Sequence, residues 1–388
     1  MKKKIAILGS TGSIGKTLLN IISRDKKNFQ IVLLTANKNY KLLLKQSEIY
    51  NVKNIIISKK KYFEKAKLNS KNKKLNIFNN FENLIKIFPK RIDYTMSAIV
   101  GLEGLLPTIK IIKFTKKIAI ANKEPIICAW NLIKNELIKN KTEFIPVDSE
   151  HFSVWYALRG KSTTTIEKIF LTASGGSLLR VNLKKYKNLK LNQILKHPNW
   201  KMGQKITVDS STMMNKVFEV IEAKKLFNLD YSRLSILIHP MSYLHAIVKF
   251  NDGIIKLIAH DTTMEIPIFN TLYNNNLKSI KTKNINLENL NDLKLSKIDI
   301  KKFPLTKILK MLPNENSLFE TVLVSANDEL VKHFLNKEIS YTDIVKKMMK
   351  LVSLKELQKY KKIQPESIKD ILKLNEYVRL KINSKHIS

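Results

Sequence analysis

Three stretches of this chain carry residue types and spacings that can do chemistry. Gly9-Ser-Thr-Gly-Ser-Ile-Gly15 sets glycines at a GxxGxxG spacing. Such a loop turns tightly, and a helix opening behind it offers unpaired N–H groups and a positive dipole end to a pyrophosphate. Pro146-Val-Asp-Ser-Glu-His151 places Asp148 and Glu150 on either side of a serine. If the backbone turns there, both carboxylates converge on one cation, and hard divalent ions prefer oxygen donors. Two acids capping the next helix would look the same. Asp209-Ser-Ser-Thr-Met-Met-Asn-Lys-Val-Phe-Glu219 adds hydroxyls, an amide, an ammonium and a third carboxylate. On a helix beginning at Ser210, Asn215 and Glu219 share a face with Lys216 alongside. Ser210, Asn215 and Lys216 then make a phosphate cradle, and Glu219 can join the Asp148/Glu150 cation. A solvated helix face is the competing reading.

Smaller signals surround these. Thr172-Ala-Ser-Gly-Gly-Ser177 is a second anion-binding turn, since Ser-Gly-Gly after a strand exposes backbone N–H groups. His197-Pro-Asn-Trp-Lys-Met-Gly203 can close over a ligand with Trp200 and Met202, although loop anchors in a core have the same composition. Thr35-Ala-Asn-Lys-Asn39, at the end of the second strand, has no acid for a ribose 2′-hydroxyl and one cation, Lys38, that suits a 2′-phosphate. That favours NADPH over NADH, unless Lys38 is one more surface lysine. His151 is a tempting further metal ligand, but in an extended segment it points away from its neighbour.

These groups need a scaffold that brings distant segments together. Residues 1–150 alternate apolar runs with helical patterns, which reads as βαβ units and a mostly parallel sheet. Strands are predicted at 4–8, 30–35, 54–58, 93–98, 117–121 and 143–147, with helices at 14–23, 102–113 and 125–139. From 151 to 273 the rhythm becomes α+β, with strands at 168–172, 234–238 and 245–250 and a helix over 210–227. Residues 274–302, rich in lysine and asparagine, read as a linker. The remainder, 303–388, is helical at 318–335, 341–354 and 365–382 and should form a small bundle.

Composition narrows the classes. A 388-residue chain that is 44% hydrophobic is no disordered polycation, even at a formal charge of +38. Of its 70 basic residues only six are arginine, and the lysines are scattered along the chain. Nucleic-acid surfaces favour arginine and concentrate charge, so a lysine-biased solvated surface is expected rather than a specific nucleic-acid partner. The lone Cys128 excludes a disulfide framework or a multi-cysteine metal site and fits a reducing compartment. No segment reads as a membrane span, and the basic start followed by Ile5–Leu8 reads as a strand rather than a signal peptide. The expected location is the bacterial cytoplasm.

In order, GSTGSIG, ANKE (121–124), PVDSEH, TASGG, HPNWKMG, VDSSTMMNK and IEA (221–223) resemble the 1-deoxy-D-xylulose 5-phosphate reductoisomerase family, with weaker matches at 238–242 and 325–329. The resemblance implies a Rossmann-like NADPH domain, an α+β catalytic domain with a flexible lid near 197–204, a C-terminal helical bundle and a homodimer. It implies a metal, Mg2+, Mn2+ or Co2+, on Asp148, Glu150 and Glu219. It assigns NADPH to Thr11, Gly12, Ser13, Ile14, Asn37, Lys38, Asn39, Asn122, Glu124 and Gly203. The sugar phosphate falls to Lys123, Ser149, Glu150, Ser174, His197, Ser210, Asn215, Lys216 and Glu219, with Lys123, Glu150, His197 and Glu219 as the catalytic set. The chain departs from the family at Ser177-Leu178, at Met241 and at Thr262-Thr-Met-Glu265, where the family has Pro-Phe, Gln and Pro-Asp-Met-Arg. A semialdehyde dehydrogenase shares the opening loop but needs a nucleophilic cysteine, and Cys128 lies in an apolar helical stretch. A cofactor-sensing or polyanion-binding protein leaves the acids unexplained.

Overall fold

A computed structural model of the chain describes residues 1–273 and 278–384. They divide into two compact units. The first is Met1–Pro125 with Leu132–Phe152 and Met264–Lys281, and the second is Ile126–Asn131, Ser153–Thr263 and the chain from Thr282 onward.

The first unit is built on a parallel sheet of β1 (Lys3–Leu8), β2 (Phe29–Ala36), β3 (Asn54–Ile57), β4 (Asn76–Phe78), β5 (Tyr94–Ser97), β6 (Lys117–Ile120) and β7 (Glu143–Pro146), in the order β4-β3-β2-β1-β5-β6-β7. Its central strands are continuous aliphatic runs, such as Ile5–Leu8 and Ile55–Ile57, because both faces are covered. Strand order reverses beside β1, and in open α/β sheets ligands bind at the carboxyl ends around such a point. The helix Ser13–Ser23 buries Leu18, Leu19, Ile21 and Ile22 against this core. The helix Glu265–Tyr273 belongs to this unit too. Its Ile268, Leu272 and Tyr273 join the same core, and Tyr273 Oη donates to Asp25 Oδ2 at 2.9 Å. Glu265, at one of the positions where the family motif is altered, pairs with Arg24 at 2.6 Å.

The second unit holds a mixed sheet of β8 (Ile166–Ala173), β9 (Leu234–Ile238), β10 (Leu244–Phe250), β11 (Ile255–Ala259) and β12 (Ser296–Lys297), ordered β11-β10-β8-β9-β12. The helix Met214–Phe227 packs Val220, Ala223 and Phe227 on its inner face. The helices Phe319–Leu335, Tyr341–Ser353 and Ile368–Asn383 follow, the last two opened by capping boxes at Ser340/Asp343 and Ser367/Asp370.

Several sequence expectations need correction. The stretch 274–302 is more than a linker: it carries the helix Leu287–Asn291 and the edge strand β12, although 274–277 lie outside the described residues. Residues 149–157 are helical, so His151 is buried on a helix rather than extended. The predicted helix 210–227 is two helices, Gln204–Thr212 and Met214–Phe227, broken at Met213 with φ 64°. The cause is local. Ser211 and Thr212 bond back to Val208 O and Asp209 O, and Thr212 Oγ1 also accepts from Met214 N, so side chains compete with the helical ladder.

Candidate active site

In the first unit, the carboxyl ends of β1, β2, β5, β6 and β7 gather every sequence-predicted residue up to Glu150. Thr11 and Gly12 lie in the loop after β1, and Ser13 and Ile14 open the helix. Gly12 is its N-cap without a side-chain cap, and no acid sits in the first turn, so its leading N–H groups face outward to an anion. Gly15 is required by contact: a Cβ there would lie 2.5 Å from Ser10 Cα and 2.6 Å from Gly9 O. The loop is held from outside the motif. Gly9 N donates to Thr35 Oγ1 at 2.9 Å, and the buried Gln46 exchanges hydrogen bonds with Ser10 at 2.8 and 3.0 Å.

The cofactor residues after β2 are only partly committed. Asn39 caps the next helix by accepting from Leu42 N, and Asn37 donates to Glu103 Oε2 at 3.1 Å. Lys38 is exposed and makes no ion pair among the described residues. Asn122 braces the loop after β5, donating to Ile99 O and to Gly101 O while accepting from Glu124 N. Lys123 and Asp148 form a buried ion pair at 2.7 Å, and Ser149 Oγ donates to Glu150 Oε2 at 2.7 Å.

The second unit holds the residues expected to bind phosphate. Gly176 has φ +65°, and a Cβ on it would lie 2.7 Å from Ser210 O, so the Ser174-Gly-Gly turn rests directly on the backbone at Ser210. Ser210 is therefore near the C-terminal end of a helix, not at the N-terminus expected from sequence, yet it still meets Ser174's turn. Ser174 Oγ lies 3.0 Å from His197 Nε2 and accepts from Gly176 N at 3.0 Å. Desolvation pushes the His197 imidazole down to about 4, so the ring is neutral. Asn215 and Lys216 both reach the carboxylate of the buried Glu219. Lys216 is buried as well, and a buried charge is retained only when paired.

The segment 197–203 is anchored rather than loose. Asn199 Nδ2 donates to Pro240 O at 2.6 Å and to Ser242 Oγ at 2.9 Å, and Trp200 packs edge-on to His245 at 6.0 Å. The weakly matching stretch 238–242 is therefore what this segment is tied to. Ser177, where the family has proline, donates to Ile194 O at 2.9 Å. Gly203 caps the helix Gln204–Thr212, and a Cβ there would meet open space. Ser10, Thr35, Gln46 and Asn199 were missed from sequence because each acts across more than 20 residues through hydrogen bonds that no local spacing signals.

Asp148 and Glu150 follow β7 in the first unit, and Glu219 lies buried on the helix Met214–Phe227 of the second. All three are carboxylates, the donor type of a hard divalent cation. Cys128, the nucleophile a semialdehyde dehydrogenase would need, is buried.

Comparison with known proteins places the chain. Family models described as 1-deoxy-D-xylulose 5-phosphate reductoisomerase, its C-terminal domain, and the DXP reductoisomerase C-terminal domain match residues 5–130, 144–227 and 261–381. The 1-deoxy-D-xylulose 5-phosphate reductoisomerase of Pelagibacter ubique (strain HTCC1062) is 57% identical over 384 residues, covering 98% of this chain and 99% of that one. That of Clostridium novyi (strain NT) is 35% identical, with 99% of both chains covered. Among solved structures, DOX-P reductoisomerase in complex with NADPH, fosmidomycin and magnesium superposes with TM-score 0.90 at 30% identity, covering 99% of this chain and 98% of that one. The Zymomonas mobilis enzyme in complex with NADPH gives 0.86 at 29%, covering 98% of both.

Proposed function

The chain belongs to the 1-deoxy-D-xylulose 5-phosphate reductoisomerase family, and on that premise we propose how its residues divide the work. The protein converts 1-deoxy-D-xylulose 5-phosphate to 2-C-methyl-D-erythritol 4-phosphate with NADPH, a step of isoprenoid precursor biosynthesis. What supports this reading in the second unit is the seat of the Ser174 turn on Ser210, together with the ties of Asn215 and Lys216 to Glu219.

Ser174, Ser210, Asn215 and Lys216 bind the phosphate, and His197 and Ser149 complete the sugar site. Anchoring this remote group uses its binding energy to hold the reacting carbons in place. The loop from Thr11 to Ile14, with Asn37, Lys38, Asn39, Asn122, Glu124 and Gly203, binds NADPH, which supplies the hydride. Asp148, Glu150 and Glu219 hold a divalent cation, which when bound polarises the substrate oxygens. The residues fit that ion. Their donors are all oxygen, and Asp148 and Glu219 each face a lysine ammonium, so both carboxylates are already arranged for positive charge. Lys123, ion-paired to Asp148, orients that carboxylate and reaches the substrate. Trp200, seated on His245, excludes water.

We assign the protein to the bacterial cytoplasm as a homodimer. No described helix is long and apolar enough to cross a membrane. The edge strand β11 exposes Ile255 and Leu257 on one face, with Ile254 beside them, which suits pairing with a second copy. Leu257→Lys should shift the mass measured by light scattering to that of a monomer.

Substrate-dependent NADPH oxidation tests the function. Activity should require both 1-deoxy-D-xylulose 5-phosphate and Mg2+ or Mn2+, and oxidation indifferent to either would refute the reading.

A further inference from the structure

The motif Ser325-Ala-Asn-Asp-Glu329 has no part in the chemistry above, yet it lies in the middle of the helix Phe319–Leu335 and is almost wholly buried. Asn327, with no exposed surface, donates from Nδ2 to Asp209 Oδ1 at 2.8 Å. Asp209 is itself buried, and its other oxygen lies 2.9 Å from Lys205 Nζ. The same ammonium reaches Asp328 Oδ1 at 3.0 Å, and Arg379 reaches Asp328 Oδ2 at 3.4 Å. Two residues after Asp209, Ser211 O accepts from Tyr341 Oη at 2.8 Å.

All of these contacts except the Arg379 pair fall on the helix Gln204–Thr212, which carries Ser210. We propose that Asn327 and Asp328 are positioning residues for the phosphate site: they clamp Asp209 and Lys205, and so fix the rotation at which Ser210 meets the Ser174 turn. Asp209 and Ser210 are adjacent, about 100° apart around the helix, so holding one sets the direction of the other. The opposite side of the helix is fixed by Gly176, whose missing Cβ lets the turn touch Ser210 O. A buried amide–carboxylate–ammonium network is costly as plain core, because well-packed apolar residues usually do as well or better. What the network adds is direction, and a misplacement of about 1 Å in a binding group can cost on the order of a hundredfold in rate. The helical bundle thereby takes part in substrate binding without touching the substrate. The inference rests on the reading of Ser210 as a phosphate ligand.

Steady-state kinetics on the full-length enzyme separate the two. Ser210→Ala should raise KM for 1-deoxy-D-xylulose 5-phosphate, and an unchanged KM would remove Ser210 from the site and the positioning role with it. If Ser210→Ala raises that KM, Asn327→Ala should also raise it, by about 2- to 30-fold, with KM for NADPH unmoved. The reversed pair Asn327→Asp with Asp209→Asn restores the hydrogen bond with donor and acceptor exchanged, and should recover most of the loss. Should Asn327→Ala not fold, Asp328→Asn and Tyr341→Phe carry the same expectation at the lower end of that range. An unchanged substrate KM, a parallel rise for NADPH, or a reversed pair no better than the single variant overturns the proposal.

Discussion

His197 and Ser174 meet at 3.0 Å, Nε2 to Oγ, and the rest of the His197 ring settles which of them donates. Nδ1 accepts the backbone N–H groups of Asn199 and Trp200 at 3.2 and 2.9 Å, so it keeps its lone pair. Nε2 therefore carries the proton and gives it to Ser174. Ser174 Oγ also receives the N–H of Gly176, so with both of these donors directed at it, its own proton is the one it can offer to an acceptor. The backbone at 199–200, the imidazole and the Ser174 hydroxyl form one chain of hydrogen bonds.

The first prediction is that His197 stays neutral across physiological pH. Burial lowers it to about 4, below the roughly 6.5 of an exposed imidazole. Between those values the unfolded chain binds a proton that the folded chain refuses, so its contribution to stability falls as pH drops through that window and levels off below it. Nitrogen NMR should show an Nε2–H tautomer with no titration above about pH 5.5. A midpoint near the exposed value would mean the ring is not held as described.

Lys216 pairs with Glu219 inside the protein, so the proposed phosphate and metal ligands share one buried interaction. Removing one partner of such a pair leaves a buried charge and costs about 3–5 kcal/mol. Lys216→Ala should therefore lower Tm as well as kcat/KM, the latter by roughly 10- to 150-fold for one charge-assisted bond. Adding Mg2+ should raise the Tm of that variant more than that of the parent, because the cation replaces the lost ammonium beside Glu219. In Glu219→Gln the Mg2+ effect on Tm and most of the activity should disappear while NADPH affinity stays. Equal Mg2+ shifts in all three proteins would place the ion elsewhere.

Lys38 stands exposed after β2, and no ion pair competes for it among the described residues. Lys38→Glu should raise KM for NADPH and leave KM for NADH nearly unchanged, since only the former carries the 2′-phosphate. A preference ratio equal to the parent's would assign discrimination to another side chain.

The parts legible in sequence were those with a local cause. Ile5–Leu8 and Ile55–Ile57 read as strands because a doubly covered parallel strand is an unbroken aliphatic run. The loop from Gly9 to Gly15 and the Ser174 turn read as tight turns because glycine supplies left-handed and sterically crowded positions there. Illegible features depend on distant partners. Asn76–Phe78 is too short to signal a strand until β3 pairs with it. Ser210 looked like the start of a helix because hydroxyl-rich stretches favour caps, whereas the same hydroxyls end one helix at Met213. Gln46 and Asn327 sit mid-helix, where no local spacing says what they bond to, and only folding brings them to Ser10 and Asp209.

Two glycines should separate the cofactor and phosphate sites. At Gly15 an added methyl meets the backbone of Ser10 and Gly9 at 2.5 and 2.6 Å, and at Gly176 it meets Ser210 O at 2.7 Å in a left-handed residue. Backbone atoms cannot swing aside as a flexible side chain can, so each substitution shifts a loop at a cost of about 1–3 kcal/mol. Gly15→Ala should spoil the pyrophosphate turn and raise KM for NADPH, with substrate KM little changed once NADPH is saturating. Gly176→Ala should do the reverse, pushing the Ser174 turn off Ser210 and raising KM for the sugar phosphate alone. Comparable rises in both constants for either variant would mean that these loops support the fold in general and not the separate ligands.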